Sequence, residues 1–459
     1  MKLTQYYLDC LSQASYLIGD ETSGQAVIVD PRRDIEEYLE DAKAHGLTIV
    51  GAINTHFHAD FVSGHLELAE ATGAWIGYGD AAKAEFDFRA LSDGERISLG
   101  DVTLEIMTTP GHTPESISVL VYEHADDAIP YGVLTGDALF IGDVGRPDLL
   151  ASVGVTAEEL GKQLYHSVQT KLMGLPDEVR VFPAHGAGSA CGKNLSTETQ
   201  STIGEQRATN YACRPMTEQE FIDVVTEGQP AAPGYFLFNA TLNKQDRDLR
   251  SPGEEIPALT DDEITSALDA GAVVHDSRAA ADFTVGHLRG SLSVPFDGRL
   301  SETIGSVLKP HERIIVLAPK GQEQEIAMRL KRIGYDAIVG YIPNAEDYLQ
   351  RHADQVTPAS RLTVPAAARI RTEQPGVQFL DVRGPGEVAG GQVPGAATIP
   401  LPQLIDRVGE LDPTQPVVVY CAGGWRSSVA ASTLRRQGFA DVSDLLGGYN
   451  AWAEMHVDA

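Results

Sequence analysis

At 459 residues the chain is long enough for about three domains, and with 42% hydrophobic and 22% charged residues it has the make-up of a folded globular protein. The formal charge of −30 repels phosphate backbones, which sets aside nucleic acid and anionic membrane as partners. There is no apolar run of roughly 18 residues to span a membrane, residues 1–20 do not read as a signal peptide, and the four scattered cysteines, Cys10, Cys191, Cys213 and Cys421, form no disulfide framework, so a reducing cytoplasm is the expected home.

In chain order, residues 25–30 (QAVIVD) and 49–54 (IVGAIN) read as buried strands, and 35–44 and 66–70 as helices from their apolar spacing. Residues 97–108 (ISLGDVTLEIMT) carry a hairpin signal around Gly-Asp, 116–123 and 131–135 are further strands, and 157–172 forms an amphipathic helix ending near Pro176. The polar stretches 248–257 (DLRSPGEEIP) and 352–360 (HADQVTPAS) mark two boundaries. The expected domains are therefore 1–250, 258–354 and 360–459.

The last two domains are copies of one unit. HDSR at 275–278 matches LDVR at 380–383, GHLRGSLSVP at 286–295 matches GQVPGAATIP at 391–400, and IIVLAPKG at 314–321 matches VVVYCAGG at 417–424. The offset is 105 between Asp276 and Asp381 and 103 between Ala318 and Cys421, so both copies share one strand–loop–helix rhythm of a parallel sheet.

In the first domain, ligand-type residues follow several strands. THFHADFVSGH at 55–65 places His56, His58 and Asp60 at period two, and His112, Asp137 and His185 stand in GHT, TGD and PAHG segments that also end apolar runs. Imidazole nitrogen together with carboxylate oxygen suits Zn, Fe or Mn.

This set resembles the metallo-β-lactamase fold, its glyoxalase II branch above all, and THFHADFVSGH, GHTPES, LTGDALFIGDVGRPD and VFPAHGAGS are similar to its persulfide dioxygenases. The resemblance implies an αββα domain and a single Fe(II) held by His56, His112 and Asp137, with His58, Asp60 and His185 orienting ligands or bound water, or else holding a second ion. Phe61 stands where the glyoxalase II pattern has a further histidine, which favours one metal. Arg146, nine positions after Asp137, is either a carboxylate anchor for a thiol carrier or an exposed loop arginine. Cys191 is expected near the metal, as a sulfur relay or an inert buried thiol.

The last copy carries Cys421, Ala422, Gly423, Gly424, Trp425 and Arg426 between a buried strand and a helix expected from Ser427. Loop and helix N–H groups there favour a thiolate or persulfide, and Arg426 adds positive charge. LDVR, the loop and GGYNAWAE resemble the rhodaneses, although Gln392 stands where that family commonly has His. The middle copy has Ala318 at the cysteine position and reads as an inactive rhodanese-like domain. The expected fold class is thus α/β multidomain, an αββα metallo-β-lactamase domain followed by two rhodanese-like domains with parallel sheets.

The function this implies is oxidation of a small-thiol persulfide, of glutathione or coenzyme A, by O2 to sulfite on Fe(II), coupled to sulfur transfer by Cys421 with thiosulfate formed or consumed. Dimers are common among such soluble proteins. The alternatives are a glyoxalase II-like Zn thioesterase with an appended sulfurtransferase, and a sulfur-carrier or regulatory protein.

Overall fold

Side-chain alternation explains the first half of the chain. In 13–20 and 25–29, Tyr16, Ile18, Val27 and Val29 share one apolar cluster while Leu17, Ala26 and Ile28 share another, as the two faces of a sheet buried on both sides require. The computed structural model describes residues 1–149, 154–251 and 253–455; position 252 of the first expected boundary and positions 456–459 of the last expected domain lie outside them.

Two compact units are present, Met1–Pro230 with Phe236–Glu254, and Ala231–Tyr235 with Glu255–Ala459. The first contains two six-stranded sheets. One runs in the order β1 (Lys2–Leu8), β2 (Gln13–Asp20), β3 (Gln25–Val29), β4 (Thr48–Ile53), β5 (Trp75–Gly79), β6 (Arg89–Leu91). The other comprises β7 (Arg96–Ser98), β8 (Thr103–Thr108), β9 (Ile117–Tyr122), β10 (Gly132–Gly136), β11 (Arg180–Pro183) and β12 (Ser201–Thr202) in reverse order. Their inner faces meet through Tyr16, Val27, Ile53, Leu104, Val119 and Leu134. Helices α1 (Glu36–Ala44) and α2 (His65–Thr72) cover the first sheet through Tyr38, Ala42 and Leu68. Helix α3 (Ala157–His166), entered by a Thr156–Glu159 capping box, covers the second. The helices α4 (Ile203–Thr209), α5 (Glu218–Thr226) and α6 (Phe236–Leu242) follow.

The expected long helix over 157–172 is α3 followed by a π-helical stretch, Ser167–Lys171, and a 3-10 turn, Leu172–Gly174. The expected hairpin at 97–108 is present as the antiparallel β7–β8 pair.

The second unit holds both copies. The strands are β13 (Val273–Asp276), β14 (His287–Leu288), β15 (Leu292–Ser293), β16 (Ile314–Leu317), β17 (Ile338–Tyr341) and β18 (Val356–Thr357), then β19 (Ser360–Leu362), β20 (Gln378–Asp381), β21 (Ala397–Thr398), β22 (Val417–Tyr420) and β23 (Val442–Leu445). The sheet orders β15-β13-β16-β17 and β21-β20-β22-β23-β19 are the same topology with one strand added, all parallel. Among the described residues no helix is long and apolar enough to cross a membrane.

Candidate metal centre and thiol loop

Four strand ends of the first unit deliver the residues of interest. The loop after β4 brings His56, His58 and Asp60, the turn between β8 and β9 brings His112, and Asp137 and His185 follow β10 and β11. His56, His112 and Asp137 offer ligand atoms within 4.8 Å of one another, and so do His58, Asp60 and His185, and Asp137, His185 and Cys191. Asp137 Oδ2 lies 3.8 Å from His56 Nε2 and 3.4 Å from His112 Nε2, and His185 Nε2 lies 3.5 Å from both Asp60 Oδ2 and Asp137 Oδ1. All are buried. Gly136, at φ +53° with Thr55 only 2.7 Å from where a Cβ would stand, permits the close turn into Asp137.

Hydrogen bonding fixes which imidazole nitrogen is bare. Thr55 Oγ1 donates to Asp30 Oδ2 at 2.9 Å, so it must accept from His56 Nδ1, also at 2.9 Å, and the lone pair of His56 is on Nε2. His112 Nδ1 donates to the Arg146 carbonyl (2.9 Å) and His185 Nδ1 to the Ser12 carbonyl (3.1 Å), leaving both Nε2 atoms bare. His58 is turned the other way: Nε2 donates to Asp30 Oδ1 at 2.9 Å and Nδ1 has no hydrogen-bond partner. Both oxygens of Asp60 and of Asp137 and the Nε2 of His185 are likewise buried without one. Bare lone pairs and carboxylates around one volume, each ring held from behind by an acceptor, are what a cation requires.

The charges agree. Burial, then the neighbouring histidines His58, His112 and His185, hold His56 well below the ordinary histidine range, so it is neutral and available as a ligand. Burial opposes charge on His58, but the carboxylates of Asp30, Asp60 and Asp137 outweigh it and raise its pKa. Burial raises that of Asp60.

Phe61 is 1% exposed, with its ring 4.3 Å from that of His58. Arg146 corrects one expectation. It is not an exposed loop arginine: it is buried, and its guanidinium makes two 2.7 Å bonds to Asp148 and donates to the Ala190 and Pro230 carbonyls. Cys191 lies beside Asp137 and His185, and burial followed by the Asp137 and Asp60 charges pushes its thiol well up. The sequence does not single out Asp30, Thr55 or Asn243: Asp30 stands only as the end of the QAVIVD run, Thr55 only as the first residue of THFHADFVSGH, and nothing local marks Asn243.

In the second unit, Cys421 follows β22 and is 1% exposed. Gly424 N–H points at its sulfur from 3.1 Å, and Ser427 Oγ lies 3.7 Å away. The helix begins at Trp425 rather than Ser427, with Gly424 at φ +102° as the turn into it. Gly448 lets the closing GGYNAWAE segment approach, since a Cβ there would stand 2.3 Å from the Cys421 carbonyl, which accepts from Tyr449 N–H at 2.7 Å. Arg426 is occupied: its two terminal nitrogens hold Glu387 at 2.7 and 2.6 Å. Ala422 and Gly423 complete the turn.

The metallo-beta-lactamase superfamily profile matches residues 8–185, and the rhodanese-like domain profile matches 364–455. The persulfide dioxygenase ETHE1, mitochondrial, of Homo sapiens is 33% identical over 46% of this chain and 75% of its own length; that of Bos taurus is 32% identical over 50% and 82%. A crystal structure of a metallo-beta-lactamase from Staphylococcus aureus is 35% identical, with a TM-score of 0.67, over 74% of this chain and 98% of that one. The chain belongs to the metallo-β-lactamase superfamily, as a homologue of the persulfide dioxygenases that also carries a rhodanese-like domain.

Proposed function

We propose that the chain is a bifunctional sulfur enzyme of three domains, 1–250, 258–354 and 360–459, in which a mononuclear Fe(II) persulfide dioxygenase is joined through an inactive rhodanese-like domain to an active one. The observation that carries this reading is the ring of bare imidazole and carboxylate lone pairs closed on one side by Phe61, in the same chain as the Cys421 loop. His56, His112 and Asp137 would hold the iron, through two imidazoles and one carboxylate. Bound iron supplies the redox chemistry that lets ground-state O2 react with a persulfide. Asp30 and the Arg146 and Ser12 carbonyls keep the rings oriented, Phe61 fills the space beside His58 where a further ligand would stand, and Asp60 Oδ2 accepts a released proton. The overall change is RSSH + O2 + H2O → RSH + SO3²⁻ + 2 H⁺, where RSH is glutathione or coenzyme A.

Cys421 attacks the outer sulfur of a second persulfide or of thiosulfate; the S–S bond breaks and its electron pair leaves on the thiol or on sulfite. The Gly424 N–H and the start of the following helix stabilise the resulting Cys421 persulfide. Passing that sulfur to sulfite makes thiosulfate, and linkage of two sites in one chain raises the effective concentration of the shared sulfite.

One iron per chain in protein purified without air, and oxygen consumption on adding glutathione persulfide, are the expected results. A second reading, a two-zinc thioesterase, draws on the second cluster of His58, Asp60 and His185. Two zinc ions per chain with thioester cleavage and no oxygen uptake would establish it instead.

A further inference from the structure

The loop that carries His58 and Asp60 is not held by its own domain's sheets alone. Asn243, just past α6 and 1% exposed, reaches it with its side chain. Asn243 Nδ2 donates to the carbonyls of His58 and Phe61, both at 2.8 Å, and Asn243 Oδ1 accepts from Ser63 N–H at 2.9 Å. One primary amide thereby satisfies three buried backbone groups over six residues, a demand that no apolar side chain meets. Its neighbours reinforce the grip: Lys244 Nζ stands 5.1 Å over the Phe57 ring, and Arg247 donates to Ser63 O and holds Glu67 with two bonds. The segment lies beyond the superfamily profile, which ends at residue 185.

We propose that Asn243 is a positioning residue for the metal centre: its amide sets the curvature of residues 58–63, so that His58 and Asp60 face the metal volume and Phe61 covers it. The side chain touches neither metal nor substrate. It acts through the backbone, because the φ and ψ angles of the loop decide where the side chains of residues 58, 60 and 61 point. The inference rests on metal binding at this cluster and not on the oxygen chemistry.

Asn243→Asp is the discriminating variant. It keeps the size and the acceptor for Ser63 N–H, but it offers no N–H to the two carbonyls and sets carboxylate lone pairs against them. Full-length protein titrated with Co(II) reads the geometry directly from the visible absorption. Both Asn243→Asp and Asn243→Ala are expected to weaken Co(II) binding on the order of 10–100-fold and to change the band shape, whereas Thr241→Ala on the same segment changes neither. Folded variants with wild-type affinity and spectrum overturn the proposal. Should the variants not fold, hydrogen exchange of the wild-type chain decides. Co(II) is expected to slow exchange in peptides covering both 56–63 and 239–247, and protection confined to the first overturns the proposal. Wild-type protein that takes up no Co(II) overturns the metal reading and this one together; uptake with unaltered variants overturns this one alone.

Discussion

The two copies in the second unit share a scaffold and differ in one turn. In each, an aspartate at the end of a central strand grips an arginine two residues on, Asp276 with Arg278 and Asp381 with Arg383, both closing at 2.6 Å. That arginine then donates to a glycine carbonyl eight positions further, Gly286 at 2.9 Å and Gly391 at 2.7 Å. The turn after the next strand departs from this pattern. Where Gly424 N–H points at Cys421 sulfur, Gly321 N–H is bonded at 2.8 Å to the Glu323 carboxylate. With the offset of 103, Glu323 stands at the position of Arg426. The middle copy has alanine in place of the cysteine and the opposite charge beside it, so its own side chain sits on the amide that would hold an anion. On the proposed reading, then, a shared fold does not by itself carry the chemistry, and two side chains in one turn make the difference.

The largest expected effect comes from removing the difference. Cys421→Ser is expected to reduce sulfur transfer from thiosulfate by at least about 10³-fold, because no group is left to take the sulfane sulfur. Iron content and oxygen uptake should stay intact. Asp137→Ala is expected to give the mirror image, loss of metal with thiosulfate cleavage retained. If both activities fall together in either variant, the two chemistries are not separable as described here.

Much of this contrast was legible in the sequence, because the repeat is collinear and strands buried on both faces read as unbroken apolar runs. Residues 417–420 (VVVY), the run before Cys421, are an example. The metal residues were legible as a set because each follows such a run. Spacing did not reveal what holds them. Asn243 reaches His58 from 185 positions away. Arg146 meets Asp148 through a rotamer choice, which no periodicity encodes. The first two strands were also missed, since KLTQYYL and QASYLIGD mix polar and apolar residues on both faces. In β2 those polar groups find buried partners, as when Ser15 pairs with the Tyr38 hydroxyl at 2.6 Å.

A second difference concerns histidine. The middle copy keeps His287 where the last copy has Gln392, and the His287 ring stacks on Phe283 at 3.8 Å and donates to the Phe283 carbonyl. Burial lowers its pKa to about 4, and does the same to His275. The unfolded chain, near 6.5, binds more protons than the folded one between these values. Stability is therefore complete above about pH 6.5 and falls as the pH drops toward 4, by about 2 kcal/mol for each histidine at pH 5. Denaturant unfolding at pH 7 and pH 5 should show this loss, and His287→Gln, which imports the residue of the other copy, should make it smaller. An unchanged loss would mean that His287 is not titrating as its burial demands.

A smaller effect belongs to the Arg426–Glu387 pair. With side chains 33% and 40% exposed it is screened and contributes little to stability. It nevertheless sets the charge that an incoming dianion meets. Glu387→Gln frees Arg426 and should lower the KM for thiosulfate by about 2–5-fold, the equivalent of roughly 0.5–1 kcal/mol. Transfer from a glutathione persulfide, which presents less charge at the reacting sulfur, should change less. A KM for thiosulfate that is unchanged or raised would show that the arginine does not reach the substrate.

The smallest expected effect is none at all. Ala318→Cys restores a thiol at the end of β16, in a buried position that is 3% exposed. If a missing sulfur were the whole reason for the inactivity proposed for the middle copy, this change alone would yield a second persulfide. The geometry argues otherwise, because the new thiolate would face the Glu323 carboxylate and find the Gly321 N–H already taken. In a Cys421→Ser background, Ala318→Cys should therefore gain no sulfur from thiosulfate by mass spectrometry. Adding Glu323→Arg, which releases the amide and returns the cation, should produce the first detectable labelling. Labelling by the single change would locate the silence in the lost cysteine alone and remove the carboxylate from the explanation.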